Sequence, residues 1–81
     1  MPPLPDPNAA WGFDLYWPTD SPEGINTLAA WLNKRGEKAL VVECGLQDRT
    51  DLTNERTAVD AYKAYAQPWK IPVSAWHNSP F

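Results

Sequence analysis

Cys44 and His77 are the one thiol and the one imidazole in this chain of 81 residues. A cysteine beside an imidazolium or a helix N-terminus can act as a thiolate nucleophile. Asp14, Asp48 or Asp51 could orient the ring. If the strands run parallel, Cys44 and His77 fall at the carboxyl ends of neighbouring strands, where open α/β sheets place their ligands. No local catalytic signature surrounds either residue, and such signatures are family-specific. The simpler reading is a buried small thiol and a histidine near the end of a strand. No catalytic role is therefore assigned, and Cys44 and His77 stand as weak candidates only.

The segment after Gly45, LQDRTDLTNE, concentrates carboxylates and hydroxyls. Asp48, Asp51 and Glu55 could gather around Mg²⁺ or Ca²⁺. The spacing is not that of a calcium-binding loop, because Leu52 stands where the fifth position needs an oxygen. Arg49 and Arg56 also offset the charge. Asp and Glu at a helix N-terminus stabilise it without any ligand, so the segment reads as a capping loop. One cysteine and one histidine cannot complete a structural zinc site. Neither a dinucleotide-binding glycine fingerprint nor a phosphate-binding loop occurs. Lys34, Arg35 and Lys38 form the one basic cluster, and cations there suit a helix C-terminus. Nucleic-acid binding would need a larger basic stripe. Sugars could stack on Tyr16 and Trp76 beside Asp14, an idea that rests on residue types alone. No cofactor and no metal are expected.

The elements that must position these residues follow from periodicity. Residues 1–10 hold Pro2, Pro3, Pro5 and Pro7 and read as an extended arm; residues 11–81 read as a single small domain. WGFDLYW alternates, with Trp11, Phe13, Leu15 and Trp17 on one face and Gly12, Asp14 and Tyr16 on the other. Period two over this length predicts a half-buried strand. Ser21, Pro22 and Glu23 open a helix over 22–35, whose stripe is Ile25, Leu28, Ala29 and Leu32 and whose stop is Gly36. Ala39 to Val42 is apolar without interruption and predicts a central strand closed by Gly45. Asp51 or Thr53 caps a second helix, with Leu52, Arg56, Val59, Tyr62 and Ala66 along one face. Pro68 ends it. KIPVSAWHN alternates as a third strand, on an edge because of Pro72.

The order β-α-β-α-β with short turns predicts an α/β fold: a three-stranded, mostly parallel sheet in order 1-2-3, with right-handed crossovers that put both helices on one face. An α+β arrangement with one antiparallel strand is the alternative. The chain is short of core, cannot form an internal disulfide and has five tryptophans. Large rings that each bury about 150–250 Å² are the obvious compensation, with at least one left for an interface. The opposite face of the sheet would be bare, and bare apolar strips mark contact surfaces. Asp14, Tyr16, Ser74 and Trp76 would lie on it, joined by Glu43 if that carboxylate points the same way.

The formal net charge of −3 is mild. No signal-peptide pattern and no membrane-length apolar run occur, and a free thiol suits a reducing cytoplasm. The sequence thus predicts a small, non-enzymatic, cytoplasmic protein-binding protein. It would be an inhibitor, adaptor or assembly component of the virus-type accessory kind, and would act on a larger protein or a second copy of itself. Neither nucleic acid nor membrane is expected as partner. The alternative is a small enzyme or ligand-binding domain using Cys44, His77 and the acidic loop.

Overall fold

A computed structural model describes residues 6, 8–48 and 50–74. Strand β1 (Ala10–Trp17) is followed by helix α1 (Gly24–Lys34), strand β2 (Lys38–Leu46) and helix α2 (Leu52–Ala66), then a single 3₁₀ turn over Gln67–Trp69. The strands pair in parallel, so each helix is a crossover. Buried Ile25 of α1 and Val59, Tyr62 and Ala66 of α2 share one cluster with Val41 and Cys44 of β2. Both helices therefore cover the same face of the sheet.

The expected three-stranded sheet in order 1-2-3 is corrected: the sheet has two strands, β1 and β2. The segment expected as a third strand makes one isolated parallel bridge, Val41 to Val73. Its two bonds run from Val41 N to the Pro72 carbonyl (2.9 Å) and from Ser74 N to the Val41 carbonyl (3.0 Å). A bridge one step earlier needs the N–H of residue 72, which Pro72 lacks. Residues 75–81, where the rest of that strand was expected, lie outside the described residues. Every described pairing is parallel, so the antiparallel alternative does not fit either.

Alternation fails in β2 for a definable reason. The register runs Phe13 to Val41 and then Asp14 to Glu43, so Val42 is an extra residue, a β-bulge. Val41 and Cys44, three positions apart, consequently both face the helices, at 2% and 0% exposure. Val42 is turned outward over Gly12, where a Cβ would come within 2.9 Å of the valine Cγ2. Glycine at position 12 is what lets the bulged valine lie against β1.

Helix α1 starts two residues later than the caps suggest. Ser21 and Pro22 instead form a tight lead-in turn, with Gly24 N bonded to the Ser21 carbonyl and Ile25 N to that of Pro22. Its end follows expectation: Gly36 takes the left-handed conformation (φ 68°) and Glu37 N returns to the Leu32 carbonyl. Asp51 caps α2 by accepting from Asn54 N at 3.2 Å. The buried seam of α2 is Glu55, Ala58, Val59, Tyr62 and Ala66, whereas Leu52 and Arg56 are exposed. Arg56 lies about 100° round from Glu55, away from the sheet.

None of the four described tryptophans is fully buried, and of these only Trp69 packs against the core cluster. Trp17 and Trp31 are 44% and 41% exposed, and Trp11 and Trp69 are half-buried. Trp31 stacks on the Arg35 guanidinium (4.5 Å), Arg35 pairs with Glu37, and Trp11 Nε1 donates to Glu37. This chain of contacts ties the end of α1 to the start of β1. Tyr62 takes the central place instead. It is fully buried, and its hydroxyl donates to the Asp20 carbonyl in the turn after β1.

Replacing Tyr62 with Phe should cost about 1–3 kcal/mol, because the Asp20 carbonyl loses a buried donor. Tyr62→Ala should cost about 3–5 kcal/mol through the added cavity. Urea unfolding followed by circular dichroism measures both; equal stability of Tyr62→Phe and the parent would show that the hydroxyl contributes nothing.

Candidate functional site

The face of the sheet opposite the helices is built by the bulge. Asp14 and Glu43 are register partners. The Tyr16 hydroxyl donates to Glu43 Oε2 at 2.7 Å, closing a short bridge across the strands. Asp14 and Gly12 are exposed, Tyr16 and Glu43 are half-buried, and Val42 is 46% exposed at the centre. The Tyr16 backbone is fixed as well: its N–H donates to Asp20 Oδ2 (3.0 Å) and its carbonyl accepts from Asp20 N (2.8 Å). This face therefore offers a branched apolar centre with two carboxylates and a phenol beside it, all on paired strands.

Of the residues expected here, the structure brings together Asp14, Tyr16 and Glu43. Ser74 is exposed and lies across β2, one residue past the bridge at Val73. Trp76, expected as an aromatic anchor, and His77, the weak catalytic candidate, lie outside the described residues. Alternation offers this face either Val41 with Glu43 or Leu40 with Val42 and Cys44; what it misses is the pairing of Val42 with Glu43, which only a two-against-one register allows.

Cys44 is fully buried against the helices. Burial pushes its thiol up to about 11, with Lys63 acting weakly the other way and Glu55 adding to the rise. A thiol in that state is neither accessible nor ionised near neutrality. The acidic segment disperses rather than converging. Asp48 accepts from Thr50 N and Thr50 Oγ1 at 3.1 and 2.6 Å. Asp51 is engaged by Asn54, and Glu55 is buried with its Oε1 over Gly45. Among the described residues no group of His, Cys, Asp and Glu could hold a metal ion. No helix among them is long and apolar enough to cross a membrane.

Two buried acids of the core set an alkaline limit. The Cys44 thiol rises from an ordinary value of 9.0 to about 11 through burial. Burial also raises the Tyr62 phenol, with Asp20 and Cys44 adding to it. Up to about pH 7.5 both groups are neutral folded and unfolded, so stability is insensitive to them. Above that the unfolded thiol ionises first, and stability should fall as the pH climbs from about 8 towards 11. Cys44→Ala should flatten the first part of that decline; thermal melts across the range check this, and an unchanged slope in the variant would contradict the assignment.

No protein-family model matches the chain, and no curated protein or solved structure matches it either. The functional reading therefore rests on the residues and their geometry.

Proposed function

We propose that this is a small protein-binding protein, an inhibitor, adaptor or assembly component working in a reducing cytoplasm. Its contact surface is the helix-free face of the sheet. One observation carries the reading: the bulge turns Val42 away from the core side onto the face opposite the helices, where it is 46% exposed. A β-branched residue held outward on rigid strands, beside a fixed phenol, has the make-up of an interface anchor. Asp14 and Glu43 give the surrounding surface a negative sign, which selects a partner with basic groups around an apolar knob or hollow.

The small size of the sheet supports the same reading. Two strands alone are marginally stable in water. Among the described residues the sheet has only β1 and β2, and a two-stranded sheet can accept a further strand from a partner. The partner is a larger protein or a second copy of the chain. The proline-rich arm over residues 1–10 supplies a second contact.

The test is affinity purification from the native host with wild-type, Val42→Asp and Trp31→Ala baits, alongside light scattering of each. Trp31 lies on α1, remote from the bare face, and serves as the control. A specific partner, or a self-associated species, should survive Trp31→Ala and weaken at least about tenfold in Val42→Asp, the effect of losing a hot-spot anchor. Undiminished binding by a folded Val42→Asp bait would rule out this face as the contact surface.

A further inference from the structure

The bare face of the sheet carries opposite charges at its two ends. Three register pairs build it: Ala10 with Lys38, Gly12 with Leu40, and Asp14 with Glu43. Side chains two positions apart share a face, and Gly12 points outward, since a Cβ there would meet the outward Val42. Lys38 is therefore exposed at the amino end of this face, and Asp14 and Glu43 lie at its carboxyl end. Leu40 and Val42 form the apolar middle. The cation stands one step before the Gly12–Leu40 pair and the two carboxylates one step after it, each about 7 Å away along the strands. Among the described residues the ion pairs are Arg35 with Glu37 and Arg56 with Asp60, so Lys38, Asp14 and Glu43 have no ionic partner there.

We propose that the occupant of this face is a second copy of the chain, packed face to face about a two-fold axis through the Gly12–Leu40 pair. The inference rests on the sheet-face reading above and narrows its partner to one. A two-fold interface must be its own complement. An axis lying across the strands reverses their direction in the second copy. Lys38 of each copy then lies over Asp14 and Glu43 of the other, and Leu40 and Val42 of both copies meet in the middle. Packed sheets stand about 10 Å apart, a gap that a lysine stem and a carboxylate side chain span together. Asp14 and Glu43 sit side by side as like charges, which repel; the ammonium of the second copy relieves that repulsion. An axis along the strands would set Lys38 on Lys38 and carboxylate on carboxylate, so charge selects the reversed packing. A foreign partner must supply a cation and an anion in this order, whereas the chain already does. The strip is narrow. Two strands of eight and nine residues present on the order of 300 Å² per copy, against about 800 Å² per partner in a stable complex. The dimer is therefore weak, with a dissociation constant on the order of 0.1 mM.

The experiment is sedimentation equilibrium of the full chain at low salt, from about 10 µM to 1 mM, which brackets that constant. Circular dichroism confirms that each variant is folded. The wild type should pass from monomer to dimer across this range. Val42→Asp should weaken the dimer at least about tenfold. Lys38→Glu, at an exposed position, should weaken it at least about fivefold, because the two-fold repeats every contact. Adding Asp14→Lys to Lys38→Glu should recover most of that loss. Adding Asp60→Lys instead restores the same net charge on the exposed side of α2 and should recover none. A chain that stays monomeric, a dimer indifferent to Lys38→Glu, or equal recovery with Asp14→Lys and Asp60→Lys would overturn the second copy as occupant. A monomer that still captures a host protein, and loses it in Val42→Asp, would keep the sheet-face reading with a different partner. A monomer whose Val42 methyls show Overhauser contacts to residues 1–5 or 75–81 would give the face to the chain's own ends. A dimer and a captured protein both indifferent to Val42→Asp would overturn the two readings together.

Discussion

The architecture depends on one extra residue in β2. Without the bulge at Val42, a strand that directs Val41 toward the helices would direct Cys44 away from them. With it, Val41 and Cys44 both enter the cluster formed by Ile25, Val59, Tyr62 and Ala66. The core gains a second anchoring point on a short strand, and the cost is a valine displaced to the other side. Gly12 makes that displacement sterically possible, because any Cβ at that position would collide with the valine. The bulge, the missing side chain and the exposed valine are one constraint seen from three residues.

The same constraint shapes the surfaces at either side. On the bare face it sets Glu43 across from Asp14 and within reach of the Tyr16 hydroxyl. At the carboxyl end it turns Leu46 inward, where it becomes part of the wall of a cleft beside Trp17. Asp20 links the two regions. Its carboxylate and backbone hold Tyr16, and its carbonyl accepts from Tyr62 at the centre of the core. A domain this small has little interior, so single residues of this kind serve the fold and the surface together.

Local chemistry was legible in the sequence wherever it depended on near neighbours. The alternation of β1, the parallel crossovers, the Asp51 cap and the Gly36 stop all follow from residues a few positions apart. The features that escaped are non-local. The bulge depends on Gly12, about thirty positions from Val42, and has no periodic signal of its own. Ile71, Val73 and Ala75 alternate like a strand, yet Pro72 removes the N–H that an earlier rung would need. Glu55 reads as a loop carboxylate because its burial depends on Gly45 across the fold. The tryptophans suggest core filling by their size, while the structure uses Trp11 and Trp31 in contacts around Arg35 and Glu37 at the periphery. Among the candidate surface residues, Asp14 and Tyr16 were visible from alternation alone, and Glu43 could be placed only once the register was known.

The central claim is that the bulge decides which side chains of β2 face the helices and which face outward. Nuclear Overhauser contacts in a uniformly labelled sample test it directly. The account predicts that the Val41 methyls and the Cys44 β-protons both show contacts to Val59 or Tyr62, while the Val42 methyls show contacts to the Gly12 α-protons and none to α2. Contacts from the Val42 methyls to α2, or a Cys44 side chain found on the Tyr16 side of the sheet, would mean that the strand alternates regularly, and would remove the basis for the proposed surface.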